Sequence, residues 1–260
     1  MYLGDSARQL YGVYHAPAAP GRGTSGVLLC YPGIQEYNAA HWAFRRLAAM
    51  LARDGHHVLR FDYTGTGDSA GEVEQGSPAI WQQDIEQAAA ELRDISGARR
   101  LSIVGMRIGA TLASLACQKM LEARRLLLWE PVVRGETYVR ELESWDKRRN
   151  LLLLHAVRSR GRRDELLGHP FSTSLRQELE SLDLCREGAP RAERVSILVS
   201  EERSDYQSLR ASLDRAGLTT SLRVVKEAAS SSGADAADKP MLSSAVLIAI
   251  SQELRDELVA

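Results

Sequence analysis

Lysine is scarce in this chain. Of its 33 basic residues only Lys119, Lys147, Lys226 and Lys239 are lysine, and the other 29 are arginine, so no single arginine stands out by type. Histidine stops early. The six lie at positions 15, 41, 56, 57, 155 and 169, leaving the last third of the chain without an imidazole. An excess of either charge is lacking too. A net charge of −1 excludes nucleic acid as a main partner. No apolar run approaches the roughly 18 residues of a membrane span, and residues 1–9 are mixed and polar, which predicts no secretory leader. The expected setting is cytoplasmic. Cys30, Cys117 and Cys185 are odd in number and lie in apolar or helical contexts, which reads as buried free thiols rather than a disulfide framework. No cofactor or metal is expected.

What remains is 260 residues, 44% apolar, enough for one large domain or a domain with a lid. Short apolar runs at 26–31, 57–62, 101–104, 125–129, 195–199 and 221–225 alternate with helical patterns at 39–54, 78–96, 110–120, 206–216 and 240–258. That alternation predicts an α/β fold with a doubly wound, mostly parallel sheet. Ser77 before Pro78 marks a helix start, and Asp238 before Pro240 another. The alternation stops between 133 and 190. Helical patterns at 138–145, 151–157 and 174–184, the last with a Ser174…Gln177 capping box, predict an inserted helical lid over a core of 1–132 and 191–260. Arg158, Arg160, Arg162 and Arg163 lie in its linker and read first as a solvated face.

Between the run ending at Val104 and the helix after it stands Gly105-Met106-Arg107-Ile108-Gly109. Strand, sharp turn flanked by glycines and helix are the setting of a nucleophile elbow, G-x-S-x-G. The glycines are needed because a side chain on either neighbour would meet the strand or the helix. The central residue here is Arg107, whose guanidinium stays protonated and cannot attack a carbonyl.

The Pro32-Gly33 loop, the strand ending in Asp62, the turn Gly65-Thr66-Gly67-Asp68-Ser69 and the elbow together resemble the α/β-hydrolase superfamily, in its serine-aminopeptidase-like branch. Val104 to Ala110 and Trp129-Glu130-Pro131-Val132-Val133 resemble hydrolase-like proteins of bacterial exosortase systems and natural-product clusters that carry Arg at the elbow. The resemblance implies a site built from the elbow, the Pro-Gly loop and the carboxyl ends of later strands. Arg107 fills the serine position. Glu201 or Glu202 matches the acid position, and the histidine position is empty. The backbone N–H groups of Ile108 and Ile34 match the oxyanion hole. Arg107, Glu201 and Glu130 are therefore the candidate catalytic residues, and Gly33, Ile34, Gln35, Glu36, Met106 and Ile108 the candidate ligand-binding ones. Arg107 is expected to meet a carboxylate, from Glu130, Glu201 or Glu36, or else a bound anion.

The implied function is that of a protein in a bacterial biosynthetic or export pathway. It would act on an acyl or carbonyl ligand, free or carrier-protein-bound, without a Ser-His-Asp triad. The alternatives are a catalytically inactive binding or scaffold protein, and a hydrolase with an unconventional nucleophile. An open cleft at Arg107 would favour the first reading and a closed, salt-bridged one the second.

Overall fold

Two glycines bound the helix that shapes the site. Gly33 is the extended N-cap of α1 (Ile34–Asp54), and Gly55, at φ 105°, is its left-handed C-cap. Between them Ala40, Ala43, Phe44, Leu47, Ala48 and Leu51 are buried, spaced three and four apart as one helix face requires. The computed structural model describes residues 1–4, 8–18, 25–153, 164–226 and 244–259. α1 starts five residues earlier than the pattern predicts. The polar stretch Gln35-Glu36-Tyr37 is helix rather than loop, with Glu36 in the first turn, where a carboxylate complements the positive helix end.

The sheet has eight strands in the order β1-β2-β4-β3-β5-β6-β9-β10: β1 (Tyr2–Leu3), β2 (Leu10–His15), β3 (Gly26–Cys30), β4 (His57–Phe61), β5 (Leu101–Met106), β6 (Ala123–Trp129), β9 (Ala192–Val199) and β10 (Thr219–Val224). β3, β4, β5, β6, β9 and β10 run parallel, while β1 and β2 pair antiparallel at one edge. β3 and β5 are buried along their whole length, as strands covered on both faces are. α1 packs with α7 (Ser244–Val259), and α2 (Pro78–Ser96) with α3 (Ile108–Lys119). α2 opens as predicted, with the Ser77 hydroxyl accepting from Ile80 N–H at 3.2 Å and Pro78 in the first turn. α6 (Ser204–Arg215) packs on β10.

The stretch between β6 and β9, expected as a helical lid, holds α4 (Gly135–Leu153), α5 (Thr173–Ser181) and a small antiparallel pair, β7 (Glu165–Leu166) with β8 (His169–Pro170), which no periodicity marks. α4 is continuous through the pattern at 138–145 and runs into that at 151–157, whose remainder lies outside the described residues. α5 is capped by Ser172, whose hydroxyl accepts from Leu175 N–H at 3.1 Å, not by Ser174. Helical geometry asks for the acceptor three residues before the free N–H, and Thr173 is already helical. Arg158 to Arg163, His155, and the Asp238-Pro240 helix start also lie outside the described residues. No described helix is long and apolar enough to cross a membrane.

Candidate functional site

The parallel pairing of β3 with β5 sets Cys30 opposite Gly105. The loop Tyr31–Gly33 and the turn at Arg107 therefore leave the sheet side by side at its carboxyl end, the place where open α/β sheets bind ligands. α1 and α3 begin there, at Ile34 and Ile108, and the first N–H groups of a helix have no intrahelical acceptor. The turn is a strained one. Arg107 has φ 53° and ψ −124°, outside the regions that L-residues favour. Its neighbours have no room for a side chain. A Cβ on Gly105 would lie 2.5 Å from Ala110 Cα, and one on Gly109 2.0 Å from the Tyr31 carbonyl oxygen. This is the predicted elbow with an arginine at its tip.

The Arg107 side chain is 8% exposed and spans two carboxylates. Its Nε donates to Glu36 Oε1 at 2.8 Å and its Nη2 to Glu141 Oε2 at 2.5 Å. Glu36 Oε2 accepts from the Tyr138 hydroxyl at 2.8 Å. Tyr138, Glu141 and Trp145 project from successive turns of α4, and the guanidinium lies over the rings of Tyr138 and Trp145 at 5.4 and 5.9 Å, within cation–π range. Burial by itself would lower the Arg107 pKa, but Glu36 and Glu141 outweigh it and hold it above the ordinary guanidinium value. Burial first and Glu36 second push the Tyr138 phenol up, so its hydroxyl stays protonated and donates.

The candidate residues divide. Glu36, one of the carboxylates expected for Arg107, is on it. Glu130 is not. One of its oxygens accepts from Ser200 N–H and the other from the Tyr206 hydroxyl at 2.8 Å, which ties the end of β6 to β9 and α6 at a strained φ of 47°. Glu201, past the end of β9, is exposed, and among the described residues no cation pairs with it. The expected pairing of Arg107 with Glu130 or Glu201 thus gives way to Glu36 and Glu141, because α4 folds over the elbow and brings its own carboxylate. Glu141 was missed. The available signal was its place on the same face as Tyr138 and Trp145 in a helical stripe, a carboxylate where an apolar residue is usual.

The oxyanion side is packed. A Cβ on Gly33 would meet the Tyr138 hydroxyl at 3.0 Å and Ile108 Cγ2 at 3.1 Å. Met106 is 2% exposed, at the end of β5, and Gln35 is half-buried beside Gly33. Chemically, the cluster neutralises the guanidinium in place, with Glu141 as its part-exposed member.

The sequence profile of serine aminopeptidase, S33, matches residues 24–195, about two thirds of the chain. No curated protein sequence matches. Among solved structures, Est1E from Butyrivibrio proteoclasticus with ferulic acid bound is similar over 100% of this chain and 98% of that one, at 13% identity and a TM-score of 0.69. The Pyrococcus furiosus esterase PF2001 is similar over 98% and 89%, at 13% identity and a TM-score of 0.67. Mouse alpha/beta hydrolase domain-containing protein 10 is similar over 99% and 98%, at 19% identity and a TM-score of 0.57. These likenesses establish an α/β-hydrolase fold.

Proposed function

The chain belongs to the serine aminopeptidase, S33, family, and we propose that within it this protein binds rather than hydrolyses. The observation that carries this is the closed ion cluster at the elbow tip. Arg107 occupies the nucleophile position, and its guanidinium is held by Glu36 and Glu141. A serine nucleophile needs a base within hydrogen-bond reach. Here the serine is replaced, and no histidine follows His169.

Cysteine does not supply the missing nucleophile on this reading. Cys30 is fully buried, and burial raises its thiol far above the usual range. Cys117 is pushed up to about 12, again chiefly by burial. A thiol that does not ionise near neutral pH is inert.

One observation supports the reading in which an acyl or carbonyl ligand, free or carrier-protein-bound, enters the elbow. The two arms of the cluster differ. Glu36 is 2% exposed, whereas Glu141 is 33% exposed and stands at the rim. A ligand carboxylate or carbonyl that displaces Glu141 takes over its edge of the guanidinium, next to the N–H groups of Ile34 and Ile108.

The test has two arms. The protein is incubated with a fluorophosphonate probe and with p-nitrophenyl esters; no labelling and no turnover above background are expected, and stoichiometric labelling of any cleft residue overturns the proposal. Calorimetric titration with octanoate then compares the wild type with Glu141→Gln. Binding strengthened by the substitution supports entry at the elbow, and binding to neither protein leaves the closed scaffold.

A further inference from the structure

A concavity of about 220 Å³ lies between α1 and the β2–β4 pair, away from the elbow. None of its lining residues belongs to the elbow cluster. The antiparallel register sets Val13 opposite Arg60, and Asp62 N–H donates to the Tyr11 carbonyl. Tyr11, Arg60 and Asp62 therefore share one face of the sheet. Tyr37 and His41, one turn apart on α1, stand over that face and complete the lining with Asp68.

Its charges are held in place and not used up. Arg60 donates from Nε to His15 Nε2 at 3.3 Å and from Nη1 to the Tyr31 hydroxyl at 3.2 Å. Those bonds occupy two of the five N–H groups of a guanidinium. Among the described residues, no carboxylate lies within ion-pair distance of it. His15 accepts at Nε2 and so is neutral. His41 is kept below the usual histidine value, by burial first and Arg60 second. Arg60 is thus the cation of this lining.

The opposite sign stands nearby. Asp62 is 5% exposed. Its Oδ1 accepts from the Tyr37 hydroxyl at 2.7 Å and its Oδ2 from Asp68 N–H at 3.1 Å. Each oxygen keeps further acceptor capacity. Burial raises the Asp62 carboxyl above the usual range, a cost that a neighbouring cation relieves. The Asp68 carboxylate is exposed at the rim, and among the described residues no cation pairs with it.

We infer that this concavity is a binding site for a small zwitterion of amino-acid size, with its carboxylate on the open edge of Arg60 and its ammonium on Asp62 and Asp68. A simple anion would face two carboxylates, and a simple cation would face Arg60; only a ligand carrying both charges satisfies both ends. Tyr11, Tyr37 and His41 supply flat walls, and a tyrosine face attracts an ammonium. The volume of about 220 Å³ lies under the roughly 300–1,000 Å³ of drug-sized pockets, which fits an amino acid and not a peptide.

The test is an amide NMR titration of the full chain with the standard L-amino acids, one at a time. At least one is expected to shift the amides of Tyr11, His41 and Asp68 saturably, with a Kd of about 1 mM or tighter. Its des-amino and decarboxylated analogues are expected to bind at least about tenfold more weakly. Arg60→Gln is expected to abolish the shifts. Asp68→Asn, which changes only a rim side chain and keeps the backbone N–H that bonds Asp62, is expected to weaken binding several-fold while leaving Tm unchanged, and it serves alone should Arg60→Gln not fold. The inference is overturned if no amino acid shifts these amides, if an analogue lacking one charge binds as well as its parent, or if a folded Arg60→Gln or Asp68→Asn variant binds like the wild type. Because the two sites share no residue, any of these results leaves the reading of the elbow intact.

Discussion

Replacing Arg107 with methionine keeps most of its length and removes its charge. The two carboxylates it leaves behind differ in exposure, and that difference sets the magnitude. Glu141 is 33% exposed; its arm is screened by water and contributes at most about 1 kcal/mol. Glu36 is 2% exposed, and removing one partner of a buried pair costs about 3–5 kcal/mol. Glu36 keeps the Tyr138 hydroxyl, and methionine packs well beside Tyr138 and Trp145, so the total belongs near the low end, about 3 kcal/mol. For a chain of this size that lowers Tm by about 6–12 °C. Thermal and urea unfolding followed by circular dichroism measure it. Adding Glu36→Gln to Arg107→Met removes the stranded charge while keeping an acceptor for Tyr138, and should restore about 1–3 kcal/mol. An Arg107→Met protein within about 0.5 kcal/mol of the wild type, or a double variant whose loss is the sum of the singles, refutes the ion cluster as a buried, coupled unit.

His56 carries the clearest pH dependence. Burial lowers its pKa from 6.5 to about 4, so between those values the unfolded chain binds more protons than the native one. Its contribution is full above about pH 6.5 and is lost as pH falls toward 4, about 2 kcal/mol of it between pH 7 and pH 5. His56→Asn should flatten that decline, and an unchanged slope contradicts the assignment. Arg107→Ser should not create an esterase, since serine without a base is a poor nucleophile; burst-phase ester turnover by this variant would reveal a base the structure does not place. Gly109→Ala should cost at least about 3 kcal/mol, because its Cβ would lie 2.0 Å from the Tyr31 carbonyl oxygen; a normally stable variant, read by the same unfolding assay, counts against the close approach.

Features set by backbone sterics and local pattern were legible in the sequence. The elbow glycines, the Ser77-Pro78 helix start and the strand runs all take the places their chemistry predicts, since each depends on a few neighbouring residues. What tertiary packing decides was less legible. α1 reaches back to Ile34 because Gly33 caps it and its first turn is held from above, Glu36 by Tyr138 and Arg107. No periodicity in 31–38 announces that. The two-residue strands β7 and β8 are too short to have a period. Of the carboxylates expected for Arg107, Glu36 meets it from the first turn of α1; the unexpected Glu141 depends on how α4 crosses the elbow. Glu201 was expected from the acid position that the resemblance implies, and Glu130 from its place at the end of β6; such a position fixes where a backbone ends rather than where a side chain turns.

The elbow frame does not depend on what stands at its centre. Gly105 and Gly109 are required by contacts with Ala110 and Tyr31 backbone atoms, and the strand–helix junction forms with any central residue that tolerates the strain. An arginine there creates a difficulty that serine does not. Its charge lies against the positive ends of α1 and α3, in a site almost sealed from water. Without compensation such a charge is expelled to solvent or prevents closure. Glu36 removes most of the cost from below and Glu141 the rest from the rim, and the same bonds draw α4 down until the Tyr138 hydroxyl sits on Gly33. We propose that the closure of the cleft follows from the arginine at the elbow. It predicts that α4 loosens first when the cluster is weakened. In Arg107→Met, hydrogen exchange should quicken along residues 135–146 before it does in β5. Equal change in both would mean that α4 is held by its packing on α5 and not by the arginine.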